Sequence, residues 1–139
     1  MTEVTAAIII NKKRVLVAQR LPGSHMEFKW EFPGGKIEEG ESRENCLIRE
    51  LKEELDVDIQ VVKLFETVEF SYPEKDIRLH FFICAIKKGI PVKHQCHSFM
   101  WANKENLKSL DFLPADRVII SKVAELITLK NGLFSNIMF

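Results

Sequence analysis

The spacing of apolar and polar residues along the chain predicts a series of strands interrupted by helices. Short runs rich in β-branched and apolar residues are typical of strands and lie at 2–10, 14–19, 30–32, 59–70, 76–86 and 98–102. Apolar residues three or four positions apart predict helices at 42–55, 104–110 and 113–130. A short turn joins the first two strands, which predicts a hairpin. This mixed order indicates an α/β or α+β fold.

The predicted helix that begins at Ser42, a favourable N-cap, has two distinct faces. One face is apolar, with a leucine at every fourth position: Leu47, Leu51 and Leu55. The other face, about 100° away on a helical wheel, is acidic: Glu50, Glu53 and Glu54. Like charges at this spacing cost about 0.2–0.5 kcal/mol per pair, and a hard divalent cation such as Mg²⁺ would relieve their repulsion. Just before the helix, Gly34 and Gly35 predict a tight turn close to a ligand.

Composition limits the classes of protein that fit this pattern. The 139 residues suit a single domain over 1–132, followed by an apolar tail at 133–139. Lys plus Arg and Asp plus Glu number 20 each, so overall charge argues against binding to nucleic acid polymers or to membranes. We find no signal peptide and no apolar run of transmembrane length. The three cysteines show no paired spacing and read as reduced thiols, which predicts a cytoplasmic protein.

The acidic helix and the glycines before it resemble the Nudix box. That motif is Gly, five residues, Glu, seven residues, then Arg-Glu-apolar-x-Glu-Glu-x-Gly-apolar. Its positions are filled here by Gly35, Glu41, Arg49, Glu50, Leu51, Glu53, Glu54, Asp56 and Val57. Asp56 stands where the family usually has the glycine that ends the helix in a left-handed conformation. Because Asp tolerates that conformation better than most residues, we expect a modest stability cost and an intact site.

The flanks of the box are similar to those of MutT-type nucleoside triphosphate pyrophosphohydrolases over most of the chain. The resemblance implies a Nudix α/β/α sandwich, in which a mixed sheet lies between the box helix and a C-terminal helix. It also implies hydrolysis of nucleoside triphosphates to a nucleoside monophosphate and pyrophosphate, with Mg²⁺, or alternatively Mn²⁺, as cofactor. The run at 113–116, Leu-Pro-Ala-Asp, and Trp101 resemble the CTP pyrophosphohydrolase branch more than the 8-oxo-dGTP branch.

The same resemblance assigns roles to individual residues. Glu53 and Glu54 are expected to bind the metal, helped by the Gly34 carbonyl, while Glu50 is expected to be a ligand or the general base. Arg49 would hold these carboxylates in place, and Glu41 would lie near the metal. The loop after the long strands usually adds another Glu, and the nearest residue here is the neutral Gln95, in His94-Gln95-Cys96-His97. The two histidines of that loop read as surface residues rather than as a metal pair.

Four residues are expected to contact the nucleotide. Arg20 and Lys36 match residues that touch substrate phosphate, although each could equally be a surface charge. The backbone of Phe32 is placed to face the base, with core packing as the alternative role of its side chain. Asp116 can accept a hydrogen bond from an exocyclic amine of cytosine or adenine, or could instead cap the last helix.

Two other functions remain open at this point. The chain could be a Nudix hydrolase of dinucleoside polyphosphates or of ADP-ribose, or a Nudix module that binds a nucleotide without cleaving it. The intact acidic face argues against the second of these. The partner expected in every case is a nucleotide, and the sequence leaves open whether the protein is a monomer or a homodimer.

Overall fold

A computed structural model describes residues 1–129, so the predicted apolar tail at 133–139 lies outside the described residues. The strands are β1 Thr2–Asn11, β2 Arg14–Gln19, β3 Trp30–Glu31, β4 Gly34–Lys36, β5 Asp58–Ser71, β6 Asp76–Lys88 and β7 Ser98–Ala102. The helices are α1 Arg43–Leu55, α2 Lys104–Ser109, α3 Pro114–Arg117 and α4 Ile120–Ile127. No helix within residues 1–129 is long and apolar enough to cross a membrane.

Within residues 1–129, a mixed sheet of seven strands lies between the helices. Its main path runs β3-β2-β1-β6-β5, with β4 paired to β1 and β7 paired to β2. The central pair, β1 and β6, is parallel, and the other pairs are antiparallel. The predicted hairpin is confirmed, since Ile10 of β1 pairs with Val15 of β2.

Each face of the sheet is covered by a separate hydrophobic core, because alternate residues of a strand point to opposite faces. On one face, α1 contributes its buried leucine stripe, Leu47, Leu51 and Leu55. On the other face, α2, α3, α4 and the turn between the last two contribute a second apolar set: Leu107, Ala115, Ile119, Val123, Ala124 and Ile127. The predicted sandwich, with a mixed sheet between the box helix and C-terminal helical segments, is therefore confirmed.

Local sequence fixes both ends of α1. The Ser42 side chain accepts a hydrogen bond from the Asn45 N–H at 3.0 Å, as an N-cap does. At the other end, Asp56 adopts the left-handed conformation, with φ 55° and ψ 43°, and its N–H donates to the Lys52 carbonyl. Asp56 thus adopts the left-handed conformation that the family glycine usually takes, while the modest stability cost and the intact site stay predictions.

The prediction of one continuous helix at 113–130 was wrong. The segment forms two short helices, α3 and α4, separated by a turn at Val118 and Ile119. Val118, Ile119 and Ile120 are consecutive β-branched residues, which lowers helix propensity at this point. The Ile119 N–H donates to the Asp116 carbonyl three residues back, which tightens the chain before α4 begins.

Candidate active site

The two glycines of the box lie on a strand, so the prediction of a tight turn at this point was wrong. Gly34 and Gly35 belong to β4 and pair with Ala6 and Thr5 of β1. An added Cβ at Gly34 would lie 2.0 Å from the Thr5 carbonyl oxygen. At Gly35 it would lie 2.2 Å from a carboxylate oxygen of Glu50. Glycine is required at Gly34 because the β1 backbone approaches too closely for a side chain, whereas at Gly35 the close neighbour is the movable carboxylate of Glu50 on α1.

This close approach brings the acidic face of α1 against β4. The Gly34 N–H donates to a Glu54 carboxylate oxygen at 3.1 Å, while the Glu50 carboxylate lies beside the Gly35 Cα. Burial, with the charges of Glu31 and Glu50, raises the pKa of Glu54 well above its ordinary value. Burial also raises the pKa of Glu50. These carboxylates therefore crowd one another in a setting that disfavours their charged forms.

Arg49 contacts most of the acidic cluster, which is formed by Glu50, Glu53 and Glu54 of α1 and the neighbouring Glu41. Its guanidinium donates to Glu41 at 2.7 and 3.0 Å and to Glu50 at 2.7 Å, and reaches Glu53 at 3.4 Å. The hydrogen bonds from Arg49 lower the pKa of Glu41 to about 2. They also raise the pKa of the Arg49 guanidinium, so the group stays fully charged. The structure thus places Arg49 where it can hold three carboxylates at once.

The donor set of this cluster fits a hard divalent cation. Within residues 1–129, no three acidic, histidine or cysteine side chains already converge as a metal cage, and Arg49 draws Glu41, Glu50 and Glu53 to itself. The side chains that crowd together are carboxylates, whose oxygens Mg²⁺ and Mn²⁺ prefer. Burial and the charges of Glu31 and Glu50 disfavour the ionised form of Glu54, and a cation beside it would favour that form, which is the physical reason for the fit.

Glu31 of β3 also belongs to the acidic cluster, although it is not among the site residues predicted from the sequence. Its carboxylate accepts a hydrogen bond from Arg20 at 3.2 Å, and its charge acts on both Glu54 and Asp116. Burial raises the pKa of Glu31 despite the nearby Arg20 guanidinium. The one signal in the sequence was an acidic residue between Trp30 and Phe32 in an otherwise apolar strand.

A cavity of about 210 Å³ opens beside the acidic cluster. The predicted nucleotide-contacting residues all line it, together with Glu31 and Tyr72: Arg20, Phe32, Lys36 and Asp116. Arg20 is held in place, since its Nε donates to the His25 carbonyl at 2.7 Å. The structure therefore brings together the positions that the sequence placed at the phosphate end and at the base end of a nucleotide.

Asp116 and Phe32 meet at the floor of this cavity. The Phe32 N–H donates to the Asp116 carboxylate at 2.8 Å, across 84 positions of sequence. This contact is what holds the Asp116 carboxylate, rather than the capping of its own helix. Burial, followed by the charge of Glu31, raises the pKa of Asp116 well above its ordinary value. The Phe32 ring stacks on Phe112 and meets the edge of Phe81, so the side chain belongs to the core.

Gln95, in the loop before β7, lies against the C-terminal end of α1 and contacts the acidic cluster through its backbone. The Gln95 N–H donates to the Glu54 carbonyl at 3.0 Å, and Gln95 is exposed to solvent. The rings of the neighbouring histidines have different partners. His94 Nδ1 lies 2.6 Å from the Glu53 carbonyl, whereas the His97 ring meets the edge of Phe28 at 5.0 Å between ring centroids.

A family profile described as "NUDIX domain" matches residues 1–123. The chain therefore belongs to the Nudix family.

Its relatives within that family include MutT-like enzymes. The chain is 34% identical over 125 residues to an 8-oxo-dGTP diphosphatase of Escherichia coli, covering 89% of this chain and 97% of the relative. It is also 34% identical over 116 residues to a CTP pyrophosphohydrolase of the same organism, covering 84% and 86% of the two chains. A solution structure of the E. coli ORF135 protein superposes with a TM-score of 0.77 at 31% identity, covering 92% of this chain and 91% of that one.

Proposed function

We propose that this protein is a Mg²⁺-dependent nucleoside triphosphate pyrophosphohydrolase that releases a nucleoside monophosphate and pyrophosphate. The single observation that carries the proposal is the packing of the acidic face of α1 against Gly34 and Gly35, beside a cavity lined by basic residues and Asp116. The names of the relatives, 8-oxo-dGTP diphosphatase and CTP pyrophosphohydrolase, support the same reaction class.

In this proposal the acidic cluster holds the metal. Glu53, Glu54 and the Gly34 carbonyl would bind the ion, with Glu50 as a further ligand or as the general base. The chemistry that Mg²⁺ or Mn²⁺ would supply there is neutralisation of the phosphate chain and activation of water. Arg49 keeps the carboxylates apart and oriented, because it donates to Glu41 and Glu50 and also reaches Glu53.

The cavity provides the groups that would position the nucleotide. Arg20 and Lys36 line the cavity and would contact the anionic phosphates. Asp116, when ionised, would accept a hydrogen bond from an exocyclic amine of the base. When protonated, it would also donate one, which suits an oxidised purine. The three cysteines of residues 1–129 are free thiols and not disulfides, which supports a cytoplasmic location.

A hydrolysis screen with Mg²⁺ tests the proposed reaction. The substrates are CTP, dCTP, 5-methyl-dCTP, dGTP, 8-oxo-dGTP, diadenosine polyphosphates and ADP-ribose, with products separated by anion exchange. We expect a nucleoside monophosphate and pyrophosphate from at least one triphosphate, and no turnover once EDTA removes the metal. Cleavage of a dinucleotide or of ADP-ribose alone would reassign the substrate class. Tight binding without turnover would identify a nucleotide-binding module instead.

The role of the acidic face is tested by Glu53→Gln. The change removes a negatively charged ligand with little change in volume, so turnover should fall by about two orders of magnitude or more while the melting temperature is retained. Glu44→Gln is the matched control, since Glu44 lies in the first turn of the same helix and is exposed. Equal turnover in wild type and Glu53→Gln would disprove the metal assignment.

A further inference from the structure

The loop between β6 and β7 covers the C-terminal end of α1. The last four carbonyls of a helix have no hydrogen-bond partner within the helix, so groups outside it must bind them. Asp56 N–H donates to the Lys52 carbonyl at 3.1 Å, and Val92 N–H donates to the Leu55 carbonyl at 3.0 Å. The N–H groups of His94 and Gln95 both donate to the Glu54 carbonyl, at 3.2 and 3.0 Å.

The remaining carbonyl, that of Glu53, is bound by a side chain. His94 Nδ1 lies 2.6 Å from the Glu53 oxygen, and because a carbonyl only accepts, the ring must carry its proton on Nδ1. All four carbonyls of the last turn are thus satisfied, and three of them by one short loop segment. The carbonyls that His94 binds, through its ring and its N–H, belong to Glu53 and Glu54.

We propose that His94 is a positioning residue that fixes the last turn of α1 and thereby sets the orientation of Glu53 and Glu54 toward their cation. The proposal rests on the metal-binding function proposed above. Residues 89–97 carry no carboxylate, so this loop acts on the acidic cluster through the helix backbone and not as a ligand.

The arrangement holds Glu54 from two sides. Its carboxylate accepts from the Gly34 N–H of β4, and its carbonyl accepts from the loop. Loss of the His94 ring would leave the Glu53 carbonyl to water and free the last turn to move relative to β4. Groups that orient metal ligands typically change metal affinity about 10–100-fold when removed. Because His94 acts through the backbone and is itself exposed, we expect the lower end of that range.

Two substitutions at one position separate the hydrogen bond from the rest of the side chain. His94→Leu removes the donor and keeps apolar bulk. His94→Asn keeps an N–H donor, since its amide nitrogen is as many bonds from Cα as Nδ1 is. His97→Leu is the matched control, because His97 lies in the same loop and its ring contacts Phe28 instead of α1.

The first readout is Mn²⁺ affinity of the nucleotide-free protein, measured by electron paramagnetic resonance. We expect the dissociation constant to rise about tenfold in His94→Leu and to stay within about twofold of wild type in His94→Asn and His97→Leu. The second readout is amide hydrogen exchange at Glu53, Glu54 and Leu55 without metal. Exchange should accelerate at least about fivefold in His94→Leu only.

Wild-type Mn²⁺ affinity in His94→Leu, even with a lowered melting temperature, would overturn the proposal, because the residue would then be merely structural. Equal weakening by His94→Leu and His94→Asn would overturn it as well, since the donor would not be the cause. If the wild-type protein itself bound no Mn²⁺ and hydrolysed no triphosphate, the proposed function would fail and the metal part of this proposal with it. The exchange rates would still show separately whether His94 holds the end of the helix.

Discussion

Replacing Gly35 by alanine tests whether the catalytic geometry depends on the close approach between β4 and α1. A Cβ at this position would lie 2.2 Å from a Glu50 carboxylate oxygen and 2.4 Å from the carboxyl carbon. Real Cβ atoms essentially never come closer than 3.0 Å to such atoms. The Glu50 carboxylate must therefore retreat by about 1 Å, and a misplacement of that size in an active site can cost about 100-fold in rate.

The stability of the protein should change much less than its activity. The atoms nearest to the added Cβ belong to the flexible end of the Glu50 side chain, which can move without shifting either backbone. The retreat would break the 2.7 Å hydrogen bond from Arg49 to Glu50, a loss of about 1–3 kcal/mol at most for a partly exposed charged pair. We therefore expect kcat/KM to fall about 100-fold while the protein stays folded at 25 °C.

The assay compares kcat/KM for the best triphosphate of the screen with the free energy of unfolding in urea. Gly40→Ala is a contrasting control, because φ is +80° at Gly40 and no atom lies within 4 Å of an added Cβ. It should lower stability by about 1 kcal/mol without lowering activity. In a Glu50→Ala background, Gly35→Ala should cost little further activity, because the group it collides with is gone.

Activity of Gly35→Ala within about threefold of wild type would refute this reasoning. A full 100-fold loss that persisted in the Glu50→Ala background would refute it too, since the cause would then lie elsewhere than in the contact with Glu50.

Three further predictions concern the fold and the floor of the cavity. Gly34→Ala should lower the free energy of unfolding by about 3 kcal/mol or more, because its Cβ would meet the β1 backbone at Thr5; urea unfolding similar to wild type would contradict this. Leu51→Ala should cost about 2–5 kcal/mol, since Leu51 is fully buried, whereas the control Ile48→Ala, 38% exposed, should cost clearly less in the same assay. Asp116→Asn should gain stability over wild type as pH rises. In the unfolded chain Asp116 loses its proton at about pH 3.9, whereas in the native protein the raised pKa keeps the carboxyl protonated to higher pH. The free energy of unfolding of wild type therefore falls by about 1.4 kcal/mol per unit of pKa shift as pH rises above about 3.9. The amide of Asp116→Asn does not titrate, so the variant is spared this loss. A difference between the two proteins that stays constant from pH 4 to 8 would contradict it.

The helix that carries the acidic cluster could be predicted almost to the residue. Its N-cap at Ser42, its leucine stripe and its left-handed end at Asp56 all depend on residues within a few positions of one another. The continuous C-terminal helix was predicted wrongly because an apolar period extends across Val118 and Ile119, where the backbone turns. Periodicity indicates which side chains are buried, but it does not indicate whether the backbone hydrogen bonds of a helix continue through the whole segment.

The candidate site likewise combines features that local sequence determines with contacts that only packing determines. Sequence alone determined that Glu50, Glu53 and Glu54 share one face of a helix, because a helix places residues three and four apart side by side wherever it lies. Only the tertiary structure decided what that face meets. The contacts of Gly34 with Glu54, of Phe32 with Asp116 and of His94 with Glu53 join residues 20, 84 and 41 positions apart. Such contacts depend on how the sheet and helices pack, and local sequence carries no signal for them.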